Sequence, residues 1–258
     1  MAGRKRVIDA NRAALEDAAQ RVVNREVNDI GNAARRYLRE AARSGDRPQH
    51  DRGVERRSVG EFTSWLDEFL VGHREFIRER MWASVWTFAQ LVSDAAMAEA
   101  EAAGFEPADV SQNVEAFTRA MLAGRAAAWT AILQTRLEDR MQAAAEAGED
   151  PLVVVEETLA ERRDGYAEDW SRDTGTAIGN AVAVTVFTVV GVLSLRWLAF
   201  GENCPYCSSM NGRTVGVQEW FVLAGNDVAP EGLPAMRPGS NVRHPPLHQG
   251  CDCMVTVG

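Results

Sequence analysis

The sequence predicts a mainly α-helical protein with a small α+β module at its C-terminal end. Long stretches before residue 150 carry apolar residues at helical spacing and end at glycine and proline signals. An uncharged run over 174–195 then changes from a helical to a strand-like pattern, because its second half is rich in β-branched residues. All four cysteines fall within 204–253. We therefore expect long helices, then a buried helix, a short β-hairpin and a loop region that Cys and His side chains hold together.

The composition is that of an ordinary globular protein. The chain has 258 residues, 46% of them hydrophobic and 25% charged, which is enough to bury a core in one or two domains. Its net charge of −9 makes non-specific attraction of the whole chain to DNA or to an anionic membrane unexpected. The first residues, MAGRKRVIDANR, lack the apolar segment of a secretory signal, so we expect a reducing compartment.

Residues 6–44 are predicted to form one long helix. Its apolar stripe is narrow, with steps of seven or eight residues, and consists of Val7/Ile8, Leu15, Val22/Val23, Ile30 and Tyr37/Leu38. Such a stripe suits a coiled-coil-like contact. Two alternatives stay open, because the stripe can pack along its own chain or against a partner or neighbouring subunit. A polar loop near 44–57 follows, with His50 expected in solvent.

Further helices complete a helical N-terminal region predicted to span residues 1–150. Ser58 begins a capping-box sequence that is expected to open the second helix, whose aromatic-rich stripe we interpret as a core face. The third helix is expected to run from Ser111 to Ala147. Asp150–Pro151 then supplies the N-cap and first residue of the next helix. We place the domain boundary here, with a C-terminal domain over 151–258.

The uncharged run 174–195 is long enough to span a bilayer, so a transmembrane helix is one alternative. Asn180, two glycines and the lack of a basic cluster at either end all count against it. We favour a buried helix to about Val190, followed by a strand over 192–200. Trp197 is expected to be a core residue of that strand.

The cysteine-bearing tail predicts a metal site. The spacing Cys204-x-x-Cys207 brings two thiols to one side of a structural zinc site. About forty residues further on, the HPPLHQGCDC segment offers more ligands, and His244 is among those considered. Two ligands from each half would close the site, and the candidate metal ligands are Cys204, Cys207, His248, Cys251 and Cys253. Structural zinc is the expected cofactor, with disulfides or reduced buried thiols as alternatives.

The same segment allows other interpretations. Asn211-Gly212 predicts a type I′ turn, with a hairpin strand returning through 213–217. CPYC is also the dithiol motif of glutaredoxins, but that chemistry needs a βαβ fold, and residues 208–212 are predicted to lead into a turn. A zinc-dependent nuclease or toxin-like enzyme, with His244 activating water, is a further alternative. The cluster offers only Asp252 as a general-base carboxylate, so we do not expect an enzyme.

The order RWLAFGENCPYCSSMNGRTV followed by HPPLHQGCDCMV resembles the C-terminal domain of phage Mu F-type (MuF) head-morphogenesis proteins, also called minor capsid proteins. The matching positions are Trp197, Cys204, Cys207, Gly212, Pro245, Pro246, Leu247, His248, Cys251 and Cys253. The sequence departs from the pattern at Asn211, Gln249 and Asp252, where the family has Asp, Pro and Arg. The change at Asp252 reverses a charge, which puts in doubt an anionic partner for that loop. The resemblance covers roughly residues 150–258.

The resemblance implies a non-enzymatic virion component of the phage head, made in the host cytoplasm. The implied partners are the portal protein at the portal vertex and the major capsid protein, with contact to packaged DNA and several copies around the portal. Such a protein would influence head assembly, DNA packaging or ejection, and no membrane would be involved. Composition and spacing alone lead only to long helices followed by a metal-stapled α+β module.

Overall fold

The computed structural model describes residues 2–43, 52–200 and 204–258. The described part is mainly helical with one small antiparallel sheet, which confirms the predicted fold class. The elements in chain order are α1 (Ala2–Arg43), α2 (Arg52–Ala102), α3 (Ser111–Ala147), α4 (Pro151–Arg163), α5 (Tyr166–Val189), β1 (Ser194–Leu198), α6 (Pro205–Met210), β2 (Thr214–Gly216) and β3 (Met254–Val257).

Most helix ends follow the local signals in the sequence. α3 has the predicted bounds, and Asp150 caps α4 by accepting a hydrogen bond from the backbone N–H of Leu152 at 2.9 Å. α2 differs, because it begins at Arg52 rather than at Ser58. Ser and Glu three residues apart are also compatible with a helix interior, so the capping-box spacing alone did not mark the start. His50 lies outside the described residues.

The chain forms two compact units, and each is assembled from separate segments. The first, here called the sheet unit, comprises Met1–Glu16, Ala83–Met121 and Asp169–Gly258. The second, the helical unit, comprises Asp17–Trp82 and Leu122–Glu168. The units divide the chain at positions other than residue 150, and α1, α2 and α3 each contribute residues to both.

α5 is the buried helix that the uncharged run predicts. Every residue from Thr174 to Val184 is buried, so the lack of charge reflects packing on all sides of the helix. At Gly179 a Cβ atom would lie 2.7 Å from Cδ1 of Ile8, so a larger residue there would require the Ile8 side chain to shift. Among the described residues, no helix is both long enough and apolar enough to cross a membrane.

The sheet follows directly after α5. Gly191, with φ 81°, ends the helical region, and β1 forms within the predicted strand segment. The strand order is β2-β1-β3, and β1 pairs antiparallel with both neighbours. Trp197 lies opposite Val255 of β3, is fully buried and packs edge-on against Phe221 at 5.2 Å between ring centroids. The expectation that Trp197 is core is therefore confirmed.

The turn before β2 is not the predicted type I′ turn. Asn211 has φ −59° and ψ 129° and Gly212 has φ 80°, which is type II geometry. The reason is that the turn follows a helix rather than joining two paired strands. Residues 208–210 belong to α6, and the backbone N–H of Arg213 donates to the carbonyl of Met210 at 3.0 Å.

The stripe of α1 packs into the chain's own core. Ile8 and Leu15 are buried in the sheet unit, and Val22, Val23 and Ile30 are buried in the helical unit. Of the two alternatives for this stripe, packing along its own chain is the one that the structure contains. The stripe is therefore not a free docking surface over these residues.

A buried ion pair lies in the core of the helical unit. Glu26 is 0% exposed and accepts hydrogen bonds from Arg162 Nε at 2.8 Å and from Trp129 Nε1 at 3.0 Å. The guanidinium of Arg162 also stacks over the ring of Tyr166 at 3.8 Å. Because each oxygen of Glu26 has a donor, the buried charge is compensated rather than isolated.

We expect Trp197→Ala to lower the free energy of unfolding of the sheet unit by about 3–5 kcal/mol, because it empties a fully buried site. Leu193→Ala is the matched control, since Leu193 is 82% exposed and just precedes the same strand. Its effect should stay within about 0.5 kcal/mol. Chemical denaturation monitored by far-UV circular dichroism measures the free energy of unfolding of both variants. A loss below about 1 kcal/mol for Trp197→Ala would contradict the core assignment.

Candidate metal centre

The structure brings the five predicted ligands together in two groups that share Cys207. The groups are Cys204, Cys207 and His248, and Cys207, Cys251 and Cys253. Within each group all ligand atoms lie within 4.8 Å of one another. Thiol and imidazole groups at this separation can hold a metal ion such as zinc. His244 does not belong to either group.

The first half of the site is built on the N-terminus of α6. Cys204 is its N-cap, and the Sγ atom accepts a hydrogen bond from the backbone N–H of Cys207 at 3.4 Å. Pro205 occupies the first helical position, where its missing N–H costs nothing. One helical turn therefore places both thiols on the same side, with Cys207 buried and Cys204 half-buried.

The second half is a tight turn between His248 and Cys251. The backbone N–H of Cys251 donates to the carbonyl of His248 at 3.2 Å, and Gly250 adopts φ 76° within the turn. The Nε2 atom of His248 lies 3.0 Å from Sγ of Cys204 and 3.1 Å from Sγ of Cys207. This turn therefore places the imidazole of His248 beside the thiols of Cys204 and Cys207.

One pair of thiols joins the two halves of the site at a separation close to that of tetrahedral zinc ligands. Sγ of Cys207 lies 3.5 Å from Sγ of Cys251. Two Zn–S bonds of about 2.3 Å in a tetrahedron separate the sulfur atoms by about 3.8 Å, so this pair of thiols lies close to that separation. All four cysteines are free thiols in the structure.

The imidazole of His248 is oriented for ligation. Its Nδ1 lies 2.7 Å from the carbonyl oxygen of Gln249, so the proton of the neutral ring is on Nδ1 and donates to that carbonyl. The lone pair of Nε2 then faces the thiols. A backbone carbonyl on the far nitrogen is the usual support of a metal-binding histidine.

The thiols differ strongly in acidity. Hydrogen bonds from Cys207 and Cys253 hold the pKa of Cys251 well below its ordinary value. The pKa of Cys207 is raised, mainly by its contacts with Cys251 and Cys253. Burial raises the pKa of Cys204, but hydrogen bonds from Cys207 and the interaction with His248 together outweigh it, and the net pKa is lowered. The cluster thus favours a thiolate even before a cation arrives, and a bound cation would displace the remaining protons.

Side chains of α5 hold the ligand loop from outside. Asn180 donates from Nδ2 to the carbonyl of Cys253 at 3.0 Å and accepts from the backbone N–H of Val255 at 2.8 Å. Asp173 accepts from the backbone N–H of Gly250 at 2.9 Å. The sequence signalled Asn180 only as a lone amide in an uncharged run, and this buried role explains its presence there.

A second support comes from α1, and sequence reasoning missed it. Arg12 Nη2 lies 2.7 Å from Oδ1 of Asp252, and Lys5 Nζ lies 3.5 Å from Oδ2. Arg12 and Asp252 are 240 positions apart in the chain. No local pattern connects residues at that separation, so no sequence signal could have found this pair.

We expect the double variant Cys204→Ser/Cys207→Ser to expose residues 204–258 to protease while the long helices remain. The thiols staple one loop-rich segment, whereas each long helix has its own apolar face. Limited proteolysis with mass mapping, combined with far-UV circular dichroism, measures both effects. Ser208→Ala is the control, since Ser208 lies on the exposed side of the same short helix. Unchanged resistance of 204–258 would rule out the staple.

The candidate ligand atoms are four thiol sulfurs and one imidazole nitrogen. Zinc binds such ligands well, whereas magnesium and calcium prefer oxygen ligands. Three donors converge in each group, and Cys207 belongs to both. No protein-family model, no curated protein and no solved structure matches this chain.

Proposed function

We propose that Cys204, Cys207, His248 and Cys251 hold a structural zinc ion. The observation that carries this proposal is the position of His248 Nε2, which lies about equally far, 3.0 and 3.1 Å, from two thiols of a distant segment. Two residues separate the ligands within each pair, Cys204/Cys207 and His248/Cys251. A cap hydrogen bond closes the first pair and a turn hydrogen bond closes the second. Four protein ligands are typical of structural zinc sites.

Zinc would supply folding free energy to a segment that has little of its own. The long loop between β2 and the second ligand pair is held by two isolated bridges, Val222 to Val242 and Val228 to Met236. Such a segment buries few apolar side chains. A metal ion that joins its two ends offsets the chain entropy that ordering costs.

The surroundings favour a structural over a catalytic site. A catalytic zinc keeps one position open for water and needs a base to activate it. Here a fifth protein donor, Cys253, stands beside the proposed four. The neighbouring carboxylate of Asp252 is paired with Arg12 and Lys5, so both of its oxygens are already engaged.

At the level of the whole chain, we propose a non-enzymatic phage head component of the MuF minor-capsid type. We place it at the portal vertex in several copies, in contact with portal protein, major capsid protein and packaged DNA. The support is the ordered combination of motif residues from Trp197 to Cys253, whose ligand-type members lie in one cluster. A role in head assembly, packaging or ejection follows from this assignment.

Metal analysis of the purified chain tests the zinc proposal. We expect about one zinc per chain, lost in Cys207→Ser and retained in Cys253→Ser, because four donors satisfy the ion. The same preparations are incubated with single- and double-stranded nucleic acid. Cleavage that chelators abolish and zinc restores would favour the nuclease alternative instead.

Composition of assembled heads tests the virion proposal. We expect the chain to co-purify with portal protein from heads, at a fixed ratio between preparations. Cys204→Ser/Cys207→Ser should enter heads less, since its C-terminal segment is not stapled. Heads that contain portal protein but lack the wild-type chain would contradict the assignment, whatever the metal analysis shows.

A further inference from the structure

We propose that the first turns of α1 position the metal centre, with Lys5 and Arg12 acting on the ligand loop through Asp252. Zinc binding and the packing of residues 2–16 would then be linked. The inference rests on the structural-zinc proposal above, and it concerns what controls that site rather than which atoms ligate.

The geometry of the contact is that of a partly buried ion pair. Arg12 lies 2.7 Å from one oxygen of Asp252 and Lys5 lies 3.5 Å from the other. The three side chains are 26%, 17% and 38% exposed in the order Arg12, Lys5, Asp252. Both oxygens of the carboxylate are thus engaged by cations of one helix, with limited access for water.

Asp252 transmits the contact because of its place in the chain. It lies between Cys251 and Cys253, and both neighbours belong to the thiol group around Cys207. With its carboxylate held by α1, the backbone that carries the flanking thiols has less freedom to move. Thr176 of α5 adds a longer contact to Asp252 at 3.5 Å.

The charges around Asp252 balance within the chain. Lys5, Asp9 and Arg12 lie on one face of α1, and Asp9 also pairs with both cations. Two cations thus meet two carboxylates. Removing Arg12 would leave Oδ1 of the half-buried Asp252 carboxylate without its cationic partner, so the backbone between Cys251 and Cys253 would be held less firmly.

A second anchor ties the same part of α1 to the strand that follows the ligands. The fully buried Arg4 donates from Nη2 to the carbonyl of Val255 and pairs with Glu99. Glu99 also accepts a hydrogen bond from Thr256. α1 is therefore attached on both sides of Cys253, at Asp252 and at β3, which makes residues 2–16 part of the frame that sets the loop.

Thermodynamic linkage makes the coupling reciprocal. If the packing of α1 favours the ligand geometry, zinc must in turn favour the packing of α1. Partners beyond the ligands of a metal site commonly change metal affinity by about 10–100-fold. The carboxylate at 252, where the MuF pattern has Arg, has its cationic partners within this chain.

Competition with a chromogenic zinc chelator tests the coupling. We expect Arg12→Ala and Asp252→Asn each to weaken zinc binding about 10-fold or more, and the double variant to weaken it no further. Arg12→Lys should retain most of the affinity, because it keeps the charge. Arg25→Ala is the control, since Arg25 pairs with Asp29 within the same helix at 2.7 Å. Cobalt substitution reports whether the thiolate bands change in the same variants.

Proteolysis tests the same coupling on the wild-type protein, without any substitution. We expect cleavage within residues 2–16 to be faster after zinc removal and to slow again when zinc is added back. Equal cleavage in both states, or unchanged affinity in Arg12→Ala and Asp252→Asn while the wild type binds zinc, would overturn the coupling alone. A wild type that binds no zinc would overturn the structural-zinc proposal and the coupling with it.

Discussion

The hydrogen bonds of the Asn180 side chain are the constraint on which the metal cluster depends. Asn180 is 0% exposed, and its amide bonds the backbone on both sides of Met254, at Cys253 and Val255. A buried amide without these partners would cost free energy, so the loop and α5 can meet in few other registers. With β3 also paired to β1, the position of Cys253 is fixed from two directions. His248 and Cys251 precede Cys253 in the same loop, so their positions are restricted as well.

The fixed register explains how so few apolar residues can hold the tail. β1 carries Trp197 into the core at the place where β3 lies alongside it, so one fully buried aromatic side chain supports both the sheet and the ligand loop. Outside that core, polar contacts and the thiol cluster hold the rest of the segment in place. A zinc ion there would add its binding free energy to these contacts in ordering the segment.

The sequence predicted what local chemistry determines. Helical periodicity defined α3 within its observed bounds, Asp150–Pro151 marked the start of α4, and the ligand types at their spacings identified all members of the cluster. The predictions that failed were also local signals, overruled by their surroundings. The Ser58 capping box lies inside a helix that begins earlier, and Asn211-Gly212 adopts type II geometry because α6 precedes it. What could not be predicted were the contacts between distant segments, such as Arg12 with Asp252.

That last pair shows why a motif and its surroundings carry different information. The proposed MuF assignment expects Arg between two of the ligand-type residues, and this chain has Asp252 there. In isolation, a partly buried carboxylate at Asp252 is an unfavourable choice, because burial disfavours a charge that has no partner. Lys5 and Arg12 of α1 make Asp252 favourable here, because they neutralise its carboxylate and attach the N-terminal helix to the ligand loop. The donor set then decides which ion the site can bind, and the N-terminal helix decides how firmly the donors are held.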